Sequence, residues 1–527
     1  MSKLIDRTSI AGKEFPLTDH VPLVVVGAGP AGLAAAIEAA GLGLRVMLVD
    51  EHPVASALIG IDVPWMFGER MTAAVQNQPR MLERIVAARP DLEQAFEAGV
   101  DVRLGHYAWA AFIEGPTSQA LPSRILALAN EEQSWLIGFE RMIVAAGARD
   151  LALAFPGWDS PGVMGAQGFA AATALYDSFA GRRVVVLGAG AAGVRCVRQA
   201  QTNELPVAAV VDVAPTSDAT VRDLGVDVYA GWVVREVRVG PEVEAIVISP
   251  VAGGDALEIA CDTIVSALDV VPNVEMFDLL GCAMTFEPTL GGYVPTTDGW
   301  GRTSVAGIYA AGDCAGVTDS RLLDPALAQD AGRIAARRAA RDSGLSVPDD
   351  APVLDARGYD RDAKRRQWMR AHAGPDAAML TICRCEEVTL RDLLGVRPPR
   401  YLKWDDKKSA GRDLRTLAVD GPLNQDQVKR LTRAGMGACQ GRRCREQVQV
   451  LLAMQGNQSS GTVPMPSYRA PLRPLPLSVL AAHDESAQIR ADWTAWFGIP
   501  TQWLPHWEKV NENAEDWAER IIFGAEK

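Results

Sequence analysis

The sequence predicts an α/β protein with two Rossmann-like dinucleotide-binding domains and a third, small domain organised by cysteines. Three observations carry this reading. An apolar strand runs into Gly27-x-Gly29-x-x-Gly32 near the start, and the same pattern returns at Gly188-x-Gly190-x-x-Gly193. Four of the eight cysteines crowd into two short pieces, "TICRCEE" and "GMGACQGRRC". At 527 residues the chain is too long for one hydrophobic core.

The first unit reads "VPLVVVGAGPAGLAAAIEAAGLGLRVMLVDE". Val24–Val26 is a β-branched strand, and the glycines allow a tight turn, a close ligand approach and close helix–strand packing in that order. An alanine-rich helix follows, whose free N–H groups and positive dipole end suit a pyrophosphate. Asp50 ends the next strand eighteen residues after Gly32, where a carboxylate can accept ribose hydroxyl hydrogen bonds. A second copy, "GRRVVVLGAGAAGVRCVRQAQTNELPVAAVVDV", carries Gly188, Gly190, Gly193 and Asp212. Asp212 favours NAD over NADP, because it would repel a 2′-phosphate. The alternative is that these glycines serve packing alone. Between the copies lies "RMIVAAGARD", and after them "GIYAAGDCAG", each a strand entering a glycine turn.

Composition narrows the function. A net charge of −13 argues against nucleic acid, whose phosphates would be repelled. The most apolar stretch breaks at its glycines into strand and helix, so no transmembrane segment is expected. The polar, mixed-charge start does not resemble a secretory signal, and a cytoplasmic location is expected. In a reducing compartment, close cysteines are metal ligands or redox groups rather than disulfides.

Together the glycine units, "AAGA" and "IYAAGDCAG" resemble the two-dinucleotide-binding-domain flavoproteins of the pyridine nucleotide–disulfide oxidoreductase superfamily. The resemblance implies FAD on the first unit, held by Gly27, Gly29, Pro30, Ala31, Gly32, Asp50, Glu51, Ala146, Gly147, Gly312 and Asp313. It implies an inserted NAD(P)-type domain with NAD or another nucleotide on Gly188, Gly190, Gly193 and Asp212. Two departures stand out. No redox cysteine pair accompanies the flavin elements, and isolated Cys196, Cys261, Cys282 and Cys314 read as small buried apolar residues. Where relatives carry a Gly-Gly-Gln stretch, this chain has "HPVASALIGIDVPWMFGERM".

Cys383-x-Cys385 and Cys439-x4-Cys444 supply four thiolates, the ligand count of a [2Fe–2S] cluster. The alternatives are zinc, although a one-residue gap is tight for two thiolates on one tetrahedral ion, and surface cysteines without metal, which would leave reactive thiols exposed together. "ICRCEEVTLRDLL" and "QVKRLTRAGMGACQGRRC" resemble the bacterioferritin-associated ferredoxin-like domain. The version most similar is that of FAD-binding α subunits of opine oxidases, proline and hydroxyproline dehydrogenases and hydrogen cyanide synthase. "RPPRYLKWDDKKSAGRDLRTLAVDG" is then a charged insertion.

The domain boundaries expected are a discontinuous FAD-binding domain at 1–150 and 285–345, an inserted NAD(P)-type domain at 151–284, and a linker at 346–378. The [2Fe–2S] domain follows at 379–460, then a proline- and tryptophan-rich tail at 461–527. The basic run "DRDAKRRQWMRAH" in the linker reads as a solvated helix face, and the cysteine domain as an independent module. The tail carries Trp493, Trp496, Trp503, Trp507 and Trp517, which suit docking on this chain's body or on another subunit.

The resemblance implies an electron-transfer subunit of a heteromeric dehydrogenase that oxidises a secondary amine or amino acid. The expected partner is a β subunit carrying or sharing FMN or FAD, and a small third subunit is a further candidate. No catalytic residue is identified, since the six histidines form no visible acid–base pair. Two other readings are a self-contained NAD(P)H-dependent reductase and a non-catalytic scaffold.

Overall fold

The computed structural model describes residues 16–481 apart from 55, 60–64, 115–120, 122, 216–218, 348–357 and 399–410, together with 487 and 491. The first apolar run forms β1 (Leu17–Val26), the alanine-rich stretch forms α1 (Pro30–Gly41), and β2 (Val46–Asp50) follows. Pro30 suits the first helical turn, where its missing N–H has no partner to lose. The chain continues through β3 (Asp101–Leu104), β4 (Tyr107–Phe112), β5 (Arg124–Ala129) and β6 (Ser134–Val144). These lie in the order β3-β2-β1-β6-β5-β4. The strand Ile308–Ala310 adds in parallel to the end of β6. As β1, β2, β6 and this last strand run parallel, their carboxyl ends share one edge, the usual ligand edge of such sheets.

The chain leaves this sheet along β7 (Ala148–Asp150) to build a second one. Its elements are β8 (Val163–Gly165), β9 (Val184–Leu187), α2 (Ala191–Thr202), β10 (Val207–Asp212) and β11 (Val228–Ala230). An antiparallel meander, β12 (Trp232–Val239), β13 (Val243–Pro250) and β14 (Leu257–Ala260), precedes β15 (Thr263–Ser266). The parallel order is β11-β10-β9-β15-β8. The chain returns along β16 (Val270–Pro272), which pairs antiparallel with β7. That two-stranded neck joins the two sheets.

Helix α3 (Pro325–Asp342) closes the first unit by crossing α1. The crossing is close because both faces are small: Ala35, Ala39, Ala335, Ala336 and Ala339 are all fully buried. A Cβ on Gly332 would stand 2.0 Å from the Ala31 carbonyl oxygen, so only hydrogen fits there.

Two expectations are corrected beyond this point. Helix α4 (Arg361–His372) is no solvated face, for Arg361, Arg365, Trp368 and Met369 are each at most 3% exposed. The cysteine region is not an independent module either. Its helices α5 (Gln425–Thr432) and α6 (Arg445–Gln455) share one apolar core with α4 and the second sheet. Val185, Leu187 and Val211 lie in it with Trp368, Ile382, Leu393, Val428 and Leu451. The physical reason is that a region this small buries too little apolar surface by itself and borrows the face of its neighbour. Residues 399–410 of the charged insertion and the tryptophans of the tail lie outside the described residues. Among the described residues no helix is long and apolar enough to cross a membrane.

Candidate cofactor and cysteine sites

The first glycine turn separates structural from functional glycines. Gly27 sits at φ +105°, and a Cβ there would lie 2.3 Å from the Ala145 carbonyl oxygen. A Cβ on Gly32 would lie 1.8 Å from the Gly27 carbonyl oxygen. Both are demanded by the protein's own packing. At Gly29 an added Cβ meets nothing within 4 Å. Helix α1 starts at this open side with no side chain capping its first N–H groups. The cradle therefore fits an anionic group such as a pyrophosphate.

Asp50 takes a different first task from the one expected. Its Oδ2 accepts the Ala28 N–H at 2.5 Å and its Oδ1 the His52 N–H at 2.8 Å, so the carboxylate clasps the turn to the end of β2. Glu51, beside it, pairs with Arg473 from beyond the cysteine region (Nε–Oε2 2.8 Å). The segment that departs from relatives begins with a buried pair, His52 Nδ1 and the Tyr176 hydroxyl at 2.5 Å. Burial pulls the His52 pKa down to about 4, which keeps the ring neutral at physiological pH. The two residues are far apart in sequence, which hides the pair from a sequence reading.

The remaining predicted positions meet at the same edge. Asn273 donates its N–H to the Gly147 carbonyl (3.0 Å) and its side-chain amide to the Ala146 carbonyl (2.8 Å). Arg321 donates to the carbonyls of Gly312 (3.1 Å) and Gly316 (2.7 Å), which sets the turn bearing Asp313. Gly312 lies against Ala31: a Cβ on it would come within 2.9 Å of the Ala31 Cβ. Gly312 thus packs on Ala31, and the Ala146 nitrogen lies 3.3 Å from a Cβ placed on Gly27. Asn273 and Arg321 are positioning residues that sequence reasoning missed.

A buried ionic network ties this edge to the cysteines. Arg149, 0% exposed, follows Gly147 by two residues. Its Nε donates to the Arg442 carbonyl at 3.1 Å, its Nη1 to the Pro272 carbonyl at 3.0 Å, and its Nη2 to Glu446. Arg445 bonds Glu446 (2.5 Å) and Glu275 (3.0 Å). Burial alone would raise the Glu275 carboxyl, but Arg445, Arg149 and Arg442 overcome it and hold the pKa at about 2. Three arginines and two glutamates are thereby gathered where isolated charges could not be buried.

Cys383 ends the strand Thr381–Cys383, Cys385 lies in the next turn, and Cys439 and Cys444 lie in the turn entering α6. The two pieces are fastened by a two-pronged ion pair from Arg433 to Glu386 (2.6 and 3.2 Å). They approach so closely that a Cβ on Gly437 would lie 2.3 Å from the Cys385 Cβ. The sulfurs form two couples, each drawn from both pieces. A hydrogen bond from Cys444 lowers the Cys383 thiol, against its burial, and one from Cys385 lowers Cys439 to about 6. The Gly435 N–H also points at the Cys383 sulfur (3.5 Å). Three of the four sulfur-bearing residues are buried and Cys385 is exposed. Among the described residues, no group of three or more His, Cys, Asp or Glu residues is placed to hold a metal ion. The other four cysteines are buried as expected, and burial pushes Cys196 and Cys261 up to about 12.

The second glycine turn repeats the first in its backbone. Gly188 is at φ +112°, a Cβ on Gly193 would lie 2.0 Å from the Gly188 carbonyl oxygen, and Asp212 Oδ2 accepts the Ala189 N–H at 2.7 Å.

Residues 21–344 match the family described as pyridine nucleotide-disulphide oxidoreductase. The chain belongs to that family. Like its other members it is an oxidoreductase, here without a cysteine pair beside the first glycine turn among the described residues. Residues 406–484 match the sarcosine oxidase A3 domain. An opine oxidase subunit of Agrobacterium tumefaciens (strain Ach5) is 26% identical over 88% of this chain and 92% of its own length. Hydrogen cyanide synthase subunit HcnB of Pseudomonas protegens is 25% identical over 88% of this chain and 98% of its own. The crystal structure of L-proline dehydrogenase from P. horikoshii shares the fold, with a TM-score of 0.59 and 17% identity over 89% of this chain and 81% of that one.

Proposed function

We propose that this chain is the electron-transfer subunit of a heteromeric flavoprotein dehydrogenase acting on a secondary amine or amino acid. The observation that carries the reading is its near full-length similarity to named subunits of such oxidases, those of opine oxidase included. In this reading FAD lies on the first unit (1–150 and 285–345), the inserted unit spans 151–284, and residues 379–460 form the [2Fe–2S] domain, with 346–378 linking and 461–527 as tail. FAD would supply two-electron chemistry, and an iron–sulfur centre one-electron chemistry.

The chain's own residues do the positioning. Gly29 admits the phosphates, the first N–H groups of α1 bind them, and Asp50 holds the turn in shape. Arg149 sets the spacing between the flavin edge and the cysteine turn by gripping the Arg442 carbonyl between Cys439 and Cys444. The four clustered thiols match the ligand count of a centre with two metal atoms, and Cys383, Cys385, Cys439 and Cys444 would hold it. Amine oxidation itself is assigned to a flavin-bearing partner subunit, since the substrate α-carbon must be held against a flavin N5 beside a clamp for its carboxylate.

The chain expressed alone is expected to carry FAD and iron and to show no steady turnover. A panel of opines, prolines and N-methylated amino acids with an artificial acceptor tests this, and turnover of any of them by the isolated chain overturns the two-subunit reading. Cys439→Ser is expected to abolish the paramagnetic signal of the reduced protein while flavin remains. Zinc in place of iron in anaerobically prepared protein would refute the cluster.

A further inference from the structure

The two glycine turns have matching backbones and opposite surroundings. Around Gly29 the cradle is open. Around Gly190 an added Cβ would meet Lys364 Nζ at 3.6 Å and the Tyr359 hydroxyl at 3.8 Å. A phosphate oxygen bonded to the first N–H groups of α2 must sit about 3 Å from them. The ammonium and the hydroxyl stand in that approach. We infer that α4, with Tyr359 ahead of it, is a built-in occupant of the second dinucleotide crevice, and that this chain takes no nicotinamide dinucleotide there.

The contacts of α4 follow the carboxyl ends of three central strands, where a dinucleotide lies in this kind of fold. After β9 it meets Gly190. At the end of β10, Lys364 pairs with Asp212 Oδ2 at 3.0 Å, and Gln367 donates to the Val213 carbonyl at 3.2 Å. After β15, Arg361 bonds Asp269, and it reaches Asp319 with its other arm. The carboxylate a ribose would need is buried and, unlike Asp50 in the first unit, holds a lysine ammonium. Asp212 is 1% exposed, with Oδ2 on Ala189 and Lys364 and Oδ1 accepting the Ala214 N–H at 3.0 Å.

Nor is α4 a loosely laid strap. Its inner face carries Trp368, 1% exposed, whose indole N–H donates to the Ala154 carbonyl at 3.1 Å. Arg365 donates to the Gly291 carbonyl at 2.8 Å. Withdrawing the helix would open the shared core and strand the buried Asp269, so a dinucleotide cannot enter by moving one side chain. Lys364 replaces the positive charge that Asp212 would otherwise lack, and the glycines persist because Gly188 and Gly193 are needed for packing. Reducing equivalents therefore arrive by a route other than NADH on this unit.

The test follows hydrogen exchange in the peptide spanning residues 188–193 of the full chain. Because that peptide belongs to the second unit, flavin loss from the first would not alter the readout. NAD+ or NADH at up to about 5 mM, above ordinary cofactor affinities, is expected to leave its exchange unchanged. The double variant Tyr359→Ala/Lys364→Ala is expected to raise exchange there by at least about threefold, as local opening becomes easier. Nucleotide-induced protection of the wild-type peptide overturns the inference. So does a variant that folds, as judged by its melting temperature, with exchange unchanged.

Discussion

Gly29→Val yields a folded protein that has lost its flavin. The expected selectivity comes from the empty space at this one glycine. An added Cβ there meets no protein atom within 4 Å, so the first atom of a side chain asks nothing of the fold. A phosphate lying on the N–H groups of α1 needs that same space, and a branched side chain would displace it. Flavin per mole of protein should fall by at least about tenfold, the result of roughly 1.4 kcal/mol of lost affinity. Gly32→Val is the contrasting control. Its side chain would strike the Gly27 carbonyl, so stability and flavin should fall together. Undiminished flavin in the Gly29 variant would refute the placement of FAD on the first unit.

Arg149→Ala lowers stability by about 3–5 kcal/mol, the usual cost of removing one member of a buried ion network. The substitution removes one of the two arginines bonded to Glu446 and Glu275 and frees the Arg442 carbonyl, all three of them Arg149 acceptors in the structure. Denaturant unfolding measures the loss, and a change below about 1 kcal/mol, as for an exposed pair, would sink the argument. Arg149→Met keeps packing volume but no charge and should recover only part of the stability. The pH dependence has a definite sign. Glu275 is held at about 2 against an ordinary value of 4.5, so its contribution is present above pH 4.5 and lost as pH falls toward 2. With one cation fewer, the variant should show a shallower slope across that window.

The two glycine-turn units were legible because their information is local. A strand, a glycine turn, a helix and an acid lie within some thirty residues, each demanded by backbone geometry that no distant neighbour can relax. The four cysteines were legible for a similar reason, since their spacing brings sulfurs together within each short piece. How they couple was not, because each couple joins one residue from each piece. Spacing makes Asp50 a candidate ribose acceptor, and the structure adds that its oxygens hold backbone N–H groups of its own turn. Spacing places a carboxylate at the strand end without saying which donors reach it first.

The sequence by itself determined the α/β class, the repeat of the strand–glycine turn–helix unit, the four clustered cysteines and the membership of a flavoprotein family. Only the tertiary structure decided that the two cradles differ. The basic run at 360–372 has the composition of a solvated helix, and nothing within it signals that Asp212 and Asp269 wait at the ends of two distant strands. Charge makes such a helix polar in sequence, while opposite charges brought together by the fold let it be buried. Likewise Arg149 becomes a fastening between the first unit's ligand edge and the cysteine turn only when Glu275 and Glu446 arrive from far along the chain. Local backbone chemistry is written in order along the chain, whereas neutralisation of buried charge depends on partners that folding alone brings within reach.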